Sequence, residues 1–447
     1  MLEYDRLAEE HFELKKQYDK AKKTTNRMEW RKNIKKAKYH KQEFEKYNQL
    51  AFEELKRLNI DVSELYDEQV SKENTKAIRT VRYYHYHLYK QTNLNEKERW
   101  SINLLKMALN QSQNPVVSCS FGIDSVVTLY LTRKALIELG RNPSDIQVVW
   151  CDTLNEFPEV RLFAKQLEKE WNLKLLIQRP KKPLKKVIDE HGGVDSSYFF
   201  TRKGDRRNGE PLTEKCCETL KHEPMRRAIN ENNWDLQING IRADESNARL
   251  QACLRDGEYF YSTKEWKAFS CRPIAWWTEK DIWDYVYQEN IPYVSMYDKN
   301  LIQEYPDDID EVINQYKDQL EAVNIDINQL REKQLVNVNR RQAILLKNIK
   351  GFQLFTPRVG CLMCPIPVKY GYLQFLRMYY PKVFNTMIYN LQYGKVLLEM
   401  IPEDVKEEIE FILGIDLNEE NAHEYISDIL KVKPCTFDKF NLNNTQI

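Results

Sequence analysis

Two groups of residues in this 447-residue chain have the types and spacing to do chemistry. The first is Ser118-Cys119-Ser120-Phe121-Gly122-Ile123-Asp124-Ser125, directly after the apolar run Pro115-Val116-Val117. Small residues there let backbone N–H groups approach an anion, and a helix starting at this point adds partial positive charge. Ser120 and Ser125 offer hydroxyl donors, and the Asp124 carboxylate can hold magnesium beside phosphates. A strand-to-helix turn capped by Asp and Ser would read the same way. The second group is sulfur: vicinal Cys216-Cys217 and the pair Cys361-Leu362-Met363-Cys364. Thiolates are soft ligands, so the two pairs could supply an iron–sulfur cluster or structural zinc. A vicinal pair is unusual in four-cysteine zinc sites, and buried thiols are the remaining reading. Cys119, Cys151, Cys253 and Cys271 read as buried apolar residues.

A third segment carries charge. Gly240-Ile241-Arg242-Ala243-Asp244-Glu245-Ser246-Asn247-Ala248-Arg249 follows the strand-like run 235–239. Arg242 and Arg249 can give forked hydrogen bonds to phosphate or sulfate, with Glu245 orienting one of them. Surface ion pairing is the plainer alternative.

The elements that must position these residues follow from periodicity. Short apolar runs at 115–119, 146–150, 173–177 and 235–240 alternate with helical spacing over 124–139, 159–171 and the stretch after Cys217. Alternating strands and helices predict an α/β fold with a doubly wound parallel sheet. Ligands of such sheets bind at the carboxyl ends of the strands, where the Ser118–Ser125 loop and the Gly240–Arg249 segment begin. Trp277 and Trp283 read as core, and Thr278 as the N-cap of the helix carrying Asp281. Apolar spacing at Ile309, Val312, Tyr316 and Leu320 predicts two helices between 301 and 350, and 366–430 reads as helical.

Residues 1–95 are charged and lack Gly and Pro, which predicts helix. Arg31, Lys32, Lys35, Lys36, Lys38 and Lys41, with Trp30 and Tyr39, form a basic cluster that reads first as a wetted helical face and second as a nucleic-acid contact. The net charge of +1 gives nucleic-acid binding no support from the total. A 42% hydrophobic content excludes wholesale disorder, and no run reaches the roughly 18 apolar residues of a membrane helix. The polar start lacks a leader pattern, so a cytoplasmic address is expected, and nine cysteines there argue against a disulfide framework. The expected division is 1–95, a helical N-terminal region; 96–298, the α/β domain; 299–359, a helical insertion; and 360–447, the C-terminal region with the C-x-x-C.

The three segments together resemble a known family. Ser120-Phe121-Gly122-Ile123-Asp124-Ser125 is similar to the PP-loop of the adenine-nucleotide alpha-hydrolases. Asp152-Thr153-Leu154-Asn155-Glu156-Phe157-Pro158-Glu159 and the Gly240–Arg249 segment resemble those of phosphoadenosine-phosphosulfate (PAPS) and adenylylsulfate (APS) reductases, in the same order. Pro273–Trp283, Ile291-Pro292-Tyr293 and Met296-Tyr297-Asp298 continue it. The resemblance implies a Rossmann-like PP-loop fold and an adenine nucleotide, ATP or APS/PAPS, bound by Ser118, Ser120, Phe121, Gly122, Asp124, Ser125, Asp152, Thr153, Gly240 and Arg242. It implies Asp124, Arg242, Glu245 and Arg249 in catalysis, magnesium, and a [4Fe–4S] cluster on Cys216, Cys217, Cys361 and Cys364.

Departures from the family's pattern shape the expected reaction. The family's C-terminal Glu-Cys-Gly-x-His nucleophile has no counterpart, and Cys435 matches it poorly. Asp124 tilts the loop toward cleaving ATP between its α and β phosphates. The expected function is therefore sulfur-handling: reduction of APS or PAPS, or ATP cleavage that activates an acceptor for sulfur transfer, as in DNA phosphorothioation or tRNA thiolation. A non-catalytic nucleotide sensor is the third reading. A sulfur- or electron-donor protein and a nucleic acid are the expected candidate partners, with no membrane. Oligomeric state is left open.

Overall fold

The computed structural model describes residues 2–21, 33, 35–43, 46–47, 50, 75–194, 215–262, 266–364 and 366–425. They fall into two compact units, one drawn from 1–103, 241–260 and 272–285 and the other from 104–240, 261–271 and 286–447. Trp30, Arg31 and Lys32 of the basic cluster, and Cys435, lie outside the described residues.

The main sheet is built on β1 (Pro115–Ser118), β2 (Gln147–Cys151), β3 (Lys174–Gln178), β4 (Leu236–Asn239), β5 (Tyr259–Ser262) and β6 (Ala268–Cys271), in the order β3-β2-β1-β4-β6-β5. Pairs β1/β2, β1/β4, β2/β3 and β4/β6 are parallel, so the fold is α/β and doubly wound as expected. The central strands are runs of buried β-branched residues: Val116, Val117, Val148, Val149 and Ile238 are all fully buried. Strands covered on both faces need no polar alternation. Pro115 opens β1, where its missing N–H costs no interior ladder bond. The helix Ile123–Glu138 leaves β1, and the helix Pro158–Glu170 starts on a proline suited to its first turn and buries Val160, Phe163, Ala164 and Leu167.

Between 299 and 359 the structure departs from the two helices expected. Three helices, Ile309–Ala322, Ile327–Arg331 and Arg340–Asn348, lie between β7 (Leu301–Glu304) and β8 (Gln353–Phe355), which pair antiparallel. The division has a local cause. Asp308, Asp326 and Asn339 each accept backbone N–H groups as N-caps, so the chain restarts a helix at each. These elements share a core that includes Ile313, Leu320, Leu330 and Leu346. The described residues from 366 to 413 are mostly helical, as expected.

In the first unit, Lys35, Lys36, Lys38 and Lys41 are exposed while Asn33 and Ala37 are buried, the pattern of a wetted helical face. Trp277 and Trp283 are core, and Thr278 caps its helix reciprocally with Asp281. A buried ion pair holds this unit. Lys97 Nζ donates to both carboxylate oxygens of Asp281 at 2.8 Å, and the Lys97 side chain is 1% exposed. Next to it Ser101 Oγ donates to the Pro273 carbonyl at 2.6 Å and accepts from Trp277 Nε1 at 3.1 Å. Among the described residues no helix is long and apolar enough to cross a membrane.

Removing one partner of a buried pair strands the other charge. Lys97→Ala should therefore destabilise the protein by about 3–5 kcal/mol, and Lys97→Ala with Asp281→Ala by less than the sum of the single changes. Chemical denaturation of the three variants checks this; additive losses would place the pair outside the stabilising contacts.

Candidate active site

The loop Cys119–Gly122 lies between β1 and the helix Ile123–Glu138. Phe121 adopts the left-handed region at φ 59°, and its buried ring packs edge-on against Trp150, at 5.3 Å between centroids, and Phe163, at 6.3 Å. A non-glycine residue there is strained, and the packing of its ring offsets this. Ser125 Oγ donates to the Gly122 carbonyl at 2.8 Å and lies 3.3 Å from Ser120 Oγ. Ser118 Oγ accepts from Gln237 Nε2 at 2.8 Å. These hydroxyls hold the loop and the strand ends; Ser120 is the exposed one. Asp124 lies in the first helical turn, half-buried. Register pairs Ser118 with Asn239, so β4 ends beside the loop. A Cβ on Gly240 would stand 2.7 Å from the Asp124 carbonyl oxygen and 2.9 Å from the Ser125 nitrogen. Only glycine fits that approach.

Asp152 and Thr153 follow β2 and are both buried. Asp152 Oδ1 accepts from the Leu154 N–H and from Arg161, each at 3.0 Å, and Oδ2 lies 3.5 Å from Arg179 Nε. Thr153 Oγ1 donates to Glu156 Oε1 at 2.6 Å and lies 3.8 Å from Cys361 Sγ. In this structure both residues hold the turn, and Thr153 reaches Cys361. Asn155 does the same for the C-x-x-C. Its carbonyl accepts the Leu362 N–H at 2.6 Å and its Oδ1 accepts the Met363 N–H at 3.3 Å. The hydroxyls of Tyr372 and Tyr393 donate to the Leu362 and Met363 carbonyls from other helices. Among the described residues Asn155 Nδ2 is buried without an acceptor. Further along, Glu159 Oε1 accepts from Lys299 Nζ at 2.6 Å and from the Tyr380 hydroxyl at 2.8 Å.

The vicinal pair sits on the short helix Lys215–Cys217, which runs through a π-helical turn, Glu218–His222, into the helix Glu223–Asn232. Such turns occur mostly at functional sites. The π turn carries Lys221, a residue the sequence reading missed although it lies four positions from Cys217. Burial pulls the Lys221 pKa down. The acidic groups around it, Cys361, Glu156, Cys217 and Cys364, outweigh that and raise it. Burial pushes the Cys361 thiol up to about 11 even beside Lys221, and likewise raises the Glu156 carboxyl. Cys151, expected in the apolar core, is half-buried; its thiol donates to the Leu220 carbonyl at 3.3 Å and feels Lys221 and Cys361. Cys119, Cys253 and Cys271 are buried as expected.

Among the described residues no three His, Cys, Asp or Glu side chains converge on one ion position.

In the first unit, Arg242 is 2% exposed. Its backbone N–H donates to Glu245 Oε1 at 3.2 Å, and one guanidinium nitrogen lies 3.6 Å from Asp244 Oδ2. Ser246 caps the helix Asn247–Asp256 by accepting the Arg249 N–H. Arg249 is about half exposed, with Nε 3.9 Å from Glu245 Oε2. Glu245 thus serves both arginines. Asp244, given no role in the sequence reading, also accepts from the Tyr86 hydroxyl at 3.4 Å.

The sequence matches the family model of the phosphoadenosine phosphosulfate reductase domain over residues 114–367. It is similar to sulfate adenylyltransferase subunit 2 of Methylorubrum extorquens, at 29% identity over 226 residues, 46% of this chain and 66% of that protein. The chain thus spans just under two-thirds of that relative's length. The protein of the same name from Pseudomonas syringae pv. syringae is 28% identical over 226 residues, covering 46% of this chain and 67% of its own. Among solved structures, a phosphoadenylyl-sulfate (PAPS) reductase from Candida auris in a phosphate complex superposes with a TM-score of 0.33 at 16% identity, covering 51% of this chain and 91% of its own.

Gly240→Ala tests the loop geometry. Overpacking backbone against backbone should cost about 1–3 kcal/mol of stability and displace the loop. Thermal melting and calorimetric titration with ATP check it; a variant that melts and binds like the wild type would show that the approach is not needed.

Proposed function

The chain belongs to the phosphoadenosine phosphosulfate reductase domain family, and on that premise we propose that it is an enzyme that cleaves ATP between the α and β phosphates. An acceptor oxygen attacks the α-phosphorus, the bond to the bridging oxygen breaks, the adenylyl group passes to the acceptor, and pyrophosphate leaves. The observation that carries this reading is the loop Ser120–Ser125 at the carboxyl end of β1, closed from β4 by Gly240. Relatives named sulfate adenylyltransferase subunit 2 support it. So does the lack of the family's nucleophilic cysteine motif in the sequence, which disfavours reduction of APS or PAPS.

In this reading the loop N–H groups and Ser120 bind phosphate oxygens, and Asp124 is the carboxylate that would hold magnesium against them. Arg242 and Arg249 stabilise charge that builds on the equatorial oxygens, with Glu245 fixing both. Asp152 and Thr153 shape the nucleotide pocket through the turn they hold. The acceptor is sulfate or an oxygen to be replaced by sulfur, on DNA or tRNA. The name subunit 2 carried by the relatives favours a partner protein, a second subunit or a sulfur donor, in a cytoplasmic setting.

We further propose that Cys216, Cys217, Cys361 and Cys364 hold a [4Fe–4S] cluster. Two observations favour the fit. Lys221 brings positive charge among the thiols, and the buried Asn155 Nδ2 beside the C-x-x-C has a proton with no acceptor, as a sulfur-rich group would supply. When bound, a cluster supplies one-electron chemistry at a potential set by its hydrogen bonds and burial.

Incubation with ATP, APS and PAPS in separate reactions tests the reaction: pyrophosphate from ATP is expected, and sulfite from APS or PAPS would overturn it. Arg242→Lys keeps the charge and loses the fork, so turnover should fall roughly tenfold or more with the melting temperature unchanged. Unchanged turnover would remove Arg242 from the site. Protein purified without oxygen should be brown and carry about four irons per chain, and Cys361→Ser should lose both. A folded wild type that takes up no iron on reconstitution with iron and sulfide would exclude the cluster.

A further inference from the structure

We propose that the basic segment 179–186, with Arg161 and Arg227, is a docking surface for the phosphate backbone of double-stranded DNA. The inference deepens the reading above and rests on it for the acceptor, a group carried by a nucleic acid; binding itself is measured apart from turnover.

The sequence concentrates charge in this segment. Arg179, Lys181, Lys182, Lys185 and Lys186 fall within eight residues that hold no acid, in a chain whose net charge is only +1. The segment leaves the carboxyl end of β3, whose last residue, Gln178, pairs with Cys151 at the end of β2. It therefore starts on the same sheet edge as the Asp152 turn. Pro180 is buried, and Pro183 is extended at φ −71° and ψ 161°. The two prolines restrict the backbone, so the cations project from a stiff stretch. Val187 and Ile188 are buried and anchor the following helix, Leu184–Glu190, which leaves Lys185 and Lys186 exposed.

Tertiary contacts bring further cations to the segment from two other helices. Arg161, on the helix Pro158–Glu170, and Arg179 both approach Asp152, at 3.0 and 3.5 Å. Arg227, on the helix Glu223–Asn232, donates to the Arg179 carbonyl at 2.7 Å and to Gln178 Oε1 at 3.2 Å. Glu223 Oε1 lies 3.3 Å from Arg227 Nε and 3.5 Å from Lys181 Nζ. Four cations thus share two carboxylates. The side chains of Arg179 and Lys181 are 61% and 71% exposed, so the surplus charge faces solvent. Like charges gathered in one place repel each other. A polyanion supplies the opposite charge and releases its own counterions when it binds. The set has no aromatic side chain on which a base could stack, so it fits the backbone of a duplex rather than a single strand. Contact with the 2′-hydroxyl is what separates RNA from DNA at a protein surface. These cations need only phosphates, and DNA meets that need in full.

Fluorescence anisotropy of the full-length protein with a labelled duplex DNA, the matching single strand and a tRNA, over a salt series, tests the surface. Lys181→Gln, Lys182→Gln, Lys185→Gln and Lys186→Gln combined should weaken duplex binding roughly tenfold or more. They should also flatten the slope of log affinity against log salt by about one for each lysine that contacts phosphate. Melting temperature and pyrophosphate release from ATP without DNA should be unchanged. Arg161 and Arg179 are left in place because they hold Asp152. Unchanged affinity and slope in the variant would overturn the inference. So would a wild type that binds no duplex, or that prefers the single strand or the tRNA. Salt-dependent duplex binding by a wild type that releases no pyrophosphate from ATP would bring down the ATP reading and leave the surface standing. If the fourfold variant does not fold, Lys185→Gln with Lys186→Gln carries the test, with a smaller change in slope.

Discussion

The approach of the Gly240 backbone to the Asp124 carbonyl, too close for any Cβ, is the constraint on which the loop geometry rests. It exists because β1 and β4 pair in parallel with Ser118 opposite Asn239, so both strands deliver their next residues to the same edge. At that edge the chain must turn sharply, and it does so by placing Phe121 in the left-handed region and anchoring its ring against Trp150 and Phe163. The apolar core under the sheet thereby sets the position of backbone donors at its rim. The serines then divide their work: Ser118 and Ser125 hold protein groups, and Ser120 faces solvent.

A second set of ties converges on the turn after β2. Asn155, Thr153 and Glu159 each bind a group more than a hundred residues away: the C-x-x-C backbone, the Cys361 thiol, and Lys299 with Tyr380. One eight-residue stretch thus sits between the nucleotide loop's sheet and the sulfur group, and buried side chains make most of its contacts.

Much of this was legible in the sequence where the signal is local. The loop combines small residues, a preceding β-branched run and a following helical period, all within one window, and the sheet followed from the same alternation. The three helices of 301–350 were written in Asp308, Asp326 and Asn339, caps that the apolar period alone does not reveal. Lys221 and Asn155 were not singled out, and Cys151 was read as a core residue, because nothing near them in the sequence marks them. Their environments are made largely by residues distant in the sequence, and a lysine among thiols is a property of the tertiary structure.

The π turn Glu218–His222 has a consequence for how this chain tolerates change. A π turn is an α-helix with one residue too many, held in place by the packing around it. Loss of a single residue there would let the helix relax to ordinary α geometry. The Cys216-Cys217 pair and the helix Glu223–Asn232 would then rotate by about one residue's step, roughly 100°, relative to each other. Residue identity in this stretch is therefore less constrained than residue number, so substitutions on its outer face should be neutral and single-residue deletions should not.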